Sequence, residues 1–134
     1  MTTRVHISVT VADLATAVHF YEALFGQDVS RRRPDYANFR LDQPPLMLAL
    51  VSQPGRANPG GEADRDACRH YGVELPSADI LATWRDRART AGLALRLETD
   101  KVCCYAKADK FWVDDPDGNA WEFWYRKGDA DTMH

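Results

Sequence analysis

Between Arg4 and Val11 the chain alternates. Val5, Ile7, Val9 and Val11 fall on one side and His6, Ser8 and Thr10 on the other, the period of a half-buried strand. The period then lengthens: Leu14, Ala17, Val18, Tyr21 and Phe25 recur at helical spacing behind Asp13, an N-cap residue type, and ahead of Gly26, a helix-stop type. Three shorter segments follow at Asp28–Arg33, Tyr36–Leu41 and Leu46–Val51. The turn signals Arg33-Pro34-Asp35 and Asp42-Gln43-Pro44-Pro45 divide them. The pattern predicts β-α-β-β-β. Ser52–Asp66 holds glycines, prolines and almost nothing apolar, the composition of a flexible connector.

The second half repeats the first. A strand is predicted at Cys68–Leu75. A helix capped by Ser77 follows, carrying Ile80, Leu81, Trp84 and Ala88 and stopping at Gly92. Strands are then predicted at Leu93–Glu98, Ala108–Asp114 and, after the turn Asp115-Pro116-Asp117-Gly118-Asn119, at Ala120–Arg126. His6 aligns with His70, Asp13 with Ser77 and Gly26 with Gly92. A repeat of this kind requires each module to bury its sheet and helix against the other. The expected fold class is α+β: two β-α-β-β-β modules forming a curved eight-stranded sheet around a cleft, with helices covering the outside. One domain spans residues 1–134, with module one at about 1–51, a connector at 52–66, module two at about 67–127 and a polar tail at 128–134.

The 134 residues carry a net charge of −3, and Arg31-Arg32-Arg33 is the longest basic run, which argues against a nucleic-acid or anionic-membrane partner. No apolar stretch approaches the roughly 20 residues of a membrane span. The first residues, MTTRVHISV, lack the pattern of a secretory signal. Three cysteines are too few for a disulfide scaffold. The expected location is the cytoplasm, with thiols free for chemistry.

In the first predicted strand His6 projects opposite the apolar set. In the matching strand Tyr71, Val73 and Leu75 are apolar, leaving Cys68, His70 and Glu74 on the cleft side. In the last strand Glu122 and Trp124 share a face opposite Trp121, Phe123 and Tyr125. A carboxylate within WEFWY is costly to bury unless something pairs with it. Two readings follow. His6, His70 and Glu122 could ligate a divalent metal and leave positions open for water, oxygen or substrate. Alternatively His6 is exposed, His70 sits at a core edge and Glu122 pairs with a nearby Lys or Arg. The repeat symmetry of the histidines favours the metal.

Cys103 and Cys104 are adjacent. In a strand their side chains would diverge, but on a bent loop both sulfurs can turn to one soft centre, and Thr99–Val102 is expected to form such a loop. Lys101 and Lys107 nearby would favour thiolate. The plainer reading is two ordinary small residues. His19 is expected on the helix surface, His134 in the tail and Cys68 as a small buried hydrophobe. Asp109, Asp114, Asp115 and Asp117 are read as strand-end and turn residues.

The doubled module, with His at equivalent points of two strands and Glu in the last, resembles the vicinal oxygen chelate superfamily, which includes glyoxalase I, extradiol dioxygenases and fosfomycin and bleomycin resistance proteins. VHISVTVADLATAVHFYEALFG resembles its opening module and PDGNAWEFW its closing strand. More narrowly, RPDYANFRLDQPPLMLALV, HYGVEL, CCYAKADKFWVDDPDG and KGDADT resemble the bacterial carbon–arsenic lyases and cadmium-induced proteins. The resemblance implies an Fe(II)-dependent, oxygen-using lyase that demethylates or dearylates trivalent organoarsenicals. Its iron would be held by His6, His70 and Glu122, a site that Ni, Co, Mn or Zn could also occupy, and its substrate by Cys103 and Cys104. It also implies a homodimer. Related alternatives are a cadmium- or arsenic-sequestering protein without turnover, or another enzyme or drug-binding protein of the superfamily. This chain departs from the lyase pattern in four places. His6 stands where Gln is common, Lys101-Val102 where Thr-Thr is common, and Cys68 where an apolar residue is usual. The connector is also longer.

Overall fold

Two β-α-β-β-β modules follow one another along the chain, as the repeat predicts. A computed structural model describes residues 2–55, 70–103, 105–129 and 131, apart from the side chain of Cys103. The first module comprises β1 (Val5–Val11), α1 (Leu14–Phe25), β2 (Arg31–Arg33), β3 (Tyr36–Asp42) and β4 (Pro45–Ser52). The second comprises β5 (Tyr71–Glu74), α2 (Ala78–Thr90), β6 (Arg96–Cys103), β7 (Ala106–Asp114) and β8 (Ala120–Asp129).

Capping chemistry sets the helix ends. Asp13, in extended conformation, accepts from Thr16 N at 3.2 Å, and Ser77 Oγ accepts from Ile80 N at 3.2 Å. Gly26 ends α1 at φ 64°, and a Cβ there would stand 2.9 Å from Arg87 Cδ of α2. Both the left-handed backbone and the close approach of the second helix call for glycine.

The eight strands divide into two four-stranded sheets, ordered β1-β4-β3-β2 and β5-β8-β7-β6. In each, the first strand pairs in parallel with the last, so the modules share one topology. The eight strands and two helices of the α+β expectation are present, and α1 packs against residues of both sheets while α2 packs on β7, β8 and α1. The cause is visible in α1: Leu14, Ala17, Val18, Phe20, Tyr21, Leu24 and Phe25 are all buried, too much apolar surface for one face to cover. Phe39, Leu48 and Leu50 of the first sheet meet it from one side. Trp121 and Phe123 of the second meet it from the other, with ring centroids 5.5 Å and 6.4 Å from Phe25. One hydrophobic core thus joins both modules, and the opposite, outer face of each sheet is left to solvent or a partner.

A polar lock crosses this core. The Tyr21 hydroxyl donates to Asp115 Oδ2 at 2.5 Å, and Trp121 Nε1 donates to the Tyr21 oxygen at 3.0 Å. Asn119 Nδ2 also donates to Oδ2, while the backbone N–H groups of Asp117 and Asn119 donate to Oδ1. Burial raises the Asp115 carboxyl above its ordinary pKa against the pull of these donors. Tyr21 is raised well above its own, first by burial and then by the Asp115 charge. The turn reading of Asp115 and Asp117 therefore holds, with Asp117 Oδ1 also accepting from Ala12 N at 2.8 Å.

Several strand boundaries differ from expectation: β2 and β6 begin three residues later, at Arg31 and Arg96, β7 begins at Ala106, and two strands run on past their expected ends. Thr99–Val102 is not a loop: β6 runs on to Cys103, which pairs with Ala106 of β7, and a bulge between Glu98 and Lys101 with Asp100 at φ 55° absorbs the bend. Likewise β8 continues through Arg126 to Asp129, because β7 supplies partners out to Ala106. Both extensions are polar, so hydrophobic alternation could not announce them. Most of the connector, from residue 56 on, and His134 lie outside the described residues.

Candidate metal and thiol site

Pairing register fixes what each sheet presents on its outer face. On the second sheet Glu122 of β8 lies opposite Gly72 of β5 and Trp112 of β7. Glu122 is 8% exposed, and its two oxygens have different neighbours. Oε2 accepts from Lys110 Nζ at 2.7 Å, and the Lys110 side chain is itself only 6% exposed. Oε1 faces His70 Nε2 at 3.6 Å, too far for a hydrogen bond. The His70 ring meets Trp112 edge-on at 4.8 Å, and its Nδ1 is buried without a hydrogen-bond partner.

The space beside Oε1 depends on Gly72. A Cβ at that position would stand 3.4 Å from Glu122 Oε1 and 3.8 Å from Trp124 Nε1. One imidazole nitrogen and one carboxylate oxygen therefore flank a gap that a glycine keeps clear, and an unpartnered imidazole nitrogen lies behind it. A nitrogen and an oxygen of this kind suit a borderline or hard divalent metal. The residues fit such an ion.

His6 is not part of this pair. It is exposed on the outer face of the first sheet, where it pairs with Met47. Among the described residues no three His, Cys, Asp or Glu side chains come close enough to share an ion. His19 is exposed on α1, as predicted. Cys103 ends β6. Cys104, Cys68 and the side chain of Cys103 lie outside the described residues. By register the Cys103–Ala106 pair stands six β7 residues from the Trp112–Glu122 row, about 20 Å along the strand.

Lys110, Trp112 and Gly72 were not singled out from the sequence. A signal for Lys110 was present: it alternates with Ala108 and Trp112 inside an apolar strand, and antiparallel pairing of the last two strands sets it diagonal to Glu122. The structure pairs Glu122 with Lys110 and leaves His6 exposed, as in the plainer sequence reading, and it also sets Glu122 Oε1 3.6 Å from His70 Nε2, two of the three residues of the metal reading.

Residues 3–123 match the family model described as Glyoxalase/Bleomycin resistance protein/Dioxygenase superfamily. The chain is 39% identical over 130 residues to a trivalent organoarsenical cleaving enzyme of Thermomonospora curvata, covering 97% of this chain and 82% of that protein. It is 37% identical to the cadmium-induced protein CadI of Mycobacterium tuberculosis, covering 97% of this chain and 80% of the relative. The fold is similar to that of a glyoxalase/bleomycin resistance protein/dioxygenase from Alicyclobacillus acidocaldarius, with a TM-score of 0.74, 20% identity and coverage of 93% and 92%. Among the described residues no helix is long and apolar enough to cross a membrane.

Proposed function

Because the chain belongs to the glyoxalase/bleomycin resistance protein/dioxygenase superfamily, we propose that it cleaves the carbon–arsenic bond of trivalent organoarsenicals, using Fe(II) and molecular oxygen in the cytoplasm. Relatives named for organoarsenical cleavage support the substrate class. The observation that carries the metal is the gap between His70 Nε2 and Glu122 Oε1 beside Gly72. His70 and Glu122 would hold the ion, with His6 as the third ligand. When bound, Fe(II) supplies open positions at which oxygen and substrate can meet. Ni, Co, Mn or Zn would suit the same donors.

The protein's own residues prepare that site. Lys110 holds Oε2 and so presents Oε1 toward His70. Trp112 packs on the imidazole and limits its rotation. Since His6 lies on the other sheet, its participation calls for a second copy. Among the described residues β1 and β5 stand at the ends of their sheets, and Val5 on β1 is 65% exposed, so a two-fold dimer could bring β1 of one copy beside β5 of the other.

Cys103 and Cys104 would capture the arsenic, two thiolates satisfying the two valences left by one organic substituent. The register distance of about 20 Å means that the hairpin must fold toward the ion to deliver substrate. Register shifts at Glu98/Lys101 and Lys107/Ala108 are the places for it to bend.

The test is aerobic incubation with methylarsenite and Fe(II), followed by arsenic speciation. Catalytic release of arsenite supports the lyase. The Lys110–Glu122 pair, which occupies one carboxylate oxygen of the site, and relatives named as cadmium-induced leave a second reading, sequestration by thiols without turnover. It would show instead as stoichiometric binding with the carbon–arsenic bond intact.

A further inference from the structure

The outer face of the first sheet carries a cleft that the proposed reaction has not used. Ser30, Arg31, Tyr36, Asn38 and Arg40 line it, and its volume is about 500 Å³. Asn38 lies opposite Arg31 on β2 and Ala49 on β4, and Arg40 lies opposite Met47, which in turn pairs with His6. Arg40 and His6 therefore share one cross-strand row on one face, two strand spacings apart, or about 10 Å.

The polar groups of the cleft are unbalanced. Among the described residues no acidic side chain pairs with Arg31 or Arg40. Asn38 is 6% exposed, and its Nδ2 donates to the Tyr36 hydroxyl oxygen at 3.1 Å, which leaves the phenolic proton for another acceptor. Asn38 Oδ1 is buried with no partner, an arrangement that is costly if nothing fills it. Two guanidinium groups and a phenol thus offer donors beside one buried acceptor that lacks a donor. Three arginines on a short edge strand also resist edge-to-edge pairing. That accounts for charge along β2 but not for a buried, unsatisfied amide oxygen on β3.

We propose that this cleft is a subsite for an organic acid arm of the substrate, a carboxylate whose neighbouring carbon carries a hydroxyl or amino group. The carboxylate takes the arginines and the Tyr36 proton, and the neighbouring donor fills Asn38 Oδ1. The inference deepens the proposed function and rests on it for the arsenical only. If His6 holds iron, an arm seated at Arg40 ends about 10 Å from the metal, the span of a substituted aryl group, so the preferred arsenical is an acidic aryl one and not the methyl compound.

Two arms of one experiment separate the subsite from the arsenical chemistry. In the first, the full-length protein is titrated calorimetrically with mandelate, with phenylacetate, which lacks the hydroxyl, and with benzyl alcohol, which lacks the carboxylate. Mandelate should bind, phenylacetate should bind about tenfold more weakly and benzyl alcohol should not bind. Arg31→Gln and Arg40→Gln should each weaken mandelate by about tenfold or more, and Asn38→Ala should erase its advantage over phenylacetate. In the second arm, KM for phenylarsenite bearing a para hydroxyacetic acid group is compared with that for phenylarsenite. The acid should lower KM in the wild type, and Arg40→Gln should remove the difference. Equal, weak binding of mandelate to the wild type and to Arg40→Gln overturns the subsite. Intact mandelate binding without cleavage of either arsenical overturns the lyase reading and leaves the subsite standing.

Discussion

Asp115 and Glu122 are both buried carboxylates of the second module, on either side of one turn of chain. Asp115 spends both oxygens: a tyrosine, an asparagine amide and two backbone N–H groups surround it, and the result ties α1 to the turn before β8. Glu122 spends one. Lys110 takes Oε2, while Oε1 looks across 3.6 Å at an imidazole and into space kept by Gly72. Evenly satisfied polar groups rigidify a fold, whereas an oxygen left unspent beside a histidine is available to a ligand. The contrast separates a carboxylate closed within the fold from one with an oxygen still open, when burial alone does not.

The largest effects should fall on Glu122. Glu122→Ala and His70→Ala should each abolish divalent-metal binding and lower turnover by more than the roughly 10–100-fold expected from losing a supporting residue. Elemental analysis that finds stoichiometric metal in folded His70→Ala would remove the site assignment. Next comes Lys110→Met. It leaves a buried carboxylate uncompensated and should destabilise the metal-free protein by about 3–5 kcal/mol. Added divalent metal should recover part of the loss, since the ion replaces the missing positive charge. Denaturant melts with and without metal measure both quantities.

Tyr21→Phe probes the other carboxylate. It deprives Asp115 Oδ2 and Trp121 Nε1 of a shared partner and should cost about 1–3 kcal/mol, with metal affinity equal to wild type. A change in metal affinity as large as the change in stability would mean that the two carboxylates are not separate. The smallest effect concerns pH. Burial raises the Asp115 pKa above its ordinary 3.8, so the folded protein holds this proton more tightly than the unfolded chain. Its contribution is fully present below the ordinary value and declines as pH rises through the raised one. Asp115→Asn should flatten that decline in a stability–pH profile.

Much of the framework was legible from periodicity. The alternation of Val5, Ile7, Val9 and Val11, the caps at Asp13 and Ser77 and the DPDGN turn are local signals, and local energetics decide them. The placement of the helices depends on tertiary packing. Phe20 and Leu24 lie beside the stripe of Leu14, Ala17, Val18, Tyr21 and Phe25 on α1 yet are buried too, and Phe25 meets Trp121 and Phe123 of the second sheet. Beyond the bulge at Thr99 and Asp100, Lys101 to Cys103 continue the strand because β7 pairs with them, a long-range cause invisible in their own pattern. His70 and Glu122 were grouped from the sequence only as candidate donors to one ion, and it is the parallel pairing of β5 with β8 that sets Gly72, two residues beyond His70, opposite Glu122. Lys110 was legible only once the last two strands are paired, since its own strand does not say which carboxylate its ammonium meets. His6 occupies the symmetry position of His70 yet lies on the outer face of the other sheet, since the repeat fixes topology within a module and not how the two modules face each other.

The role of His6 admits a direct test. His6→Ala and Glu122→Ala chains, each unable to hold iron, are mixed under conditions that exchange subunits and are then loaded with Fe(II). If His6 joins His70 and Glu122 across two copies, random pairing rebuilds one intact site in each mixed dimer, and iron content returns to roughly a quarter of the wild-type value. Iron that stays at the level of the separate variants, in dimers shown to have exchanged, would contradict a site shared between copies.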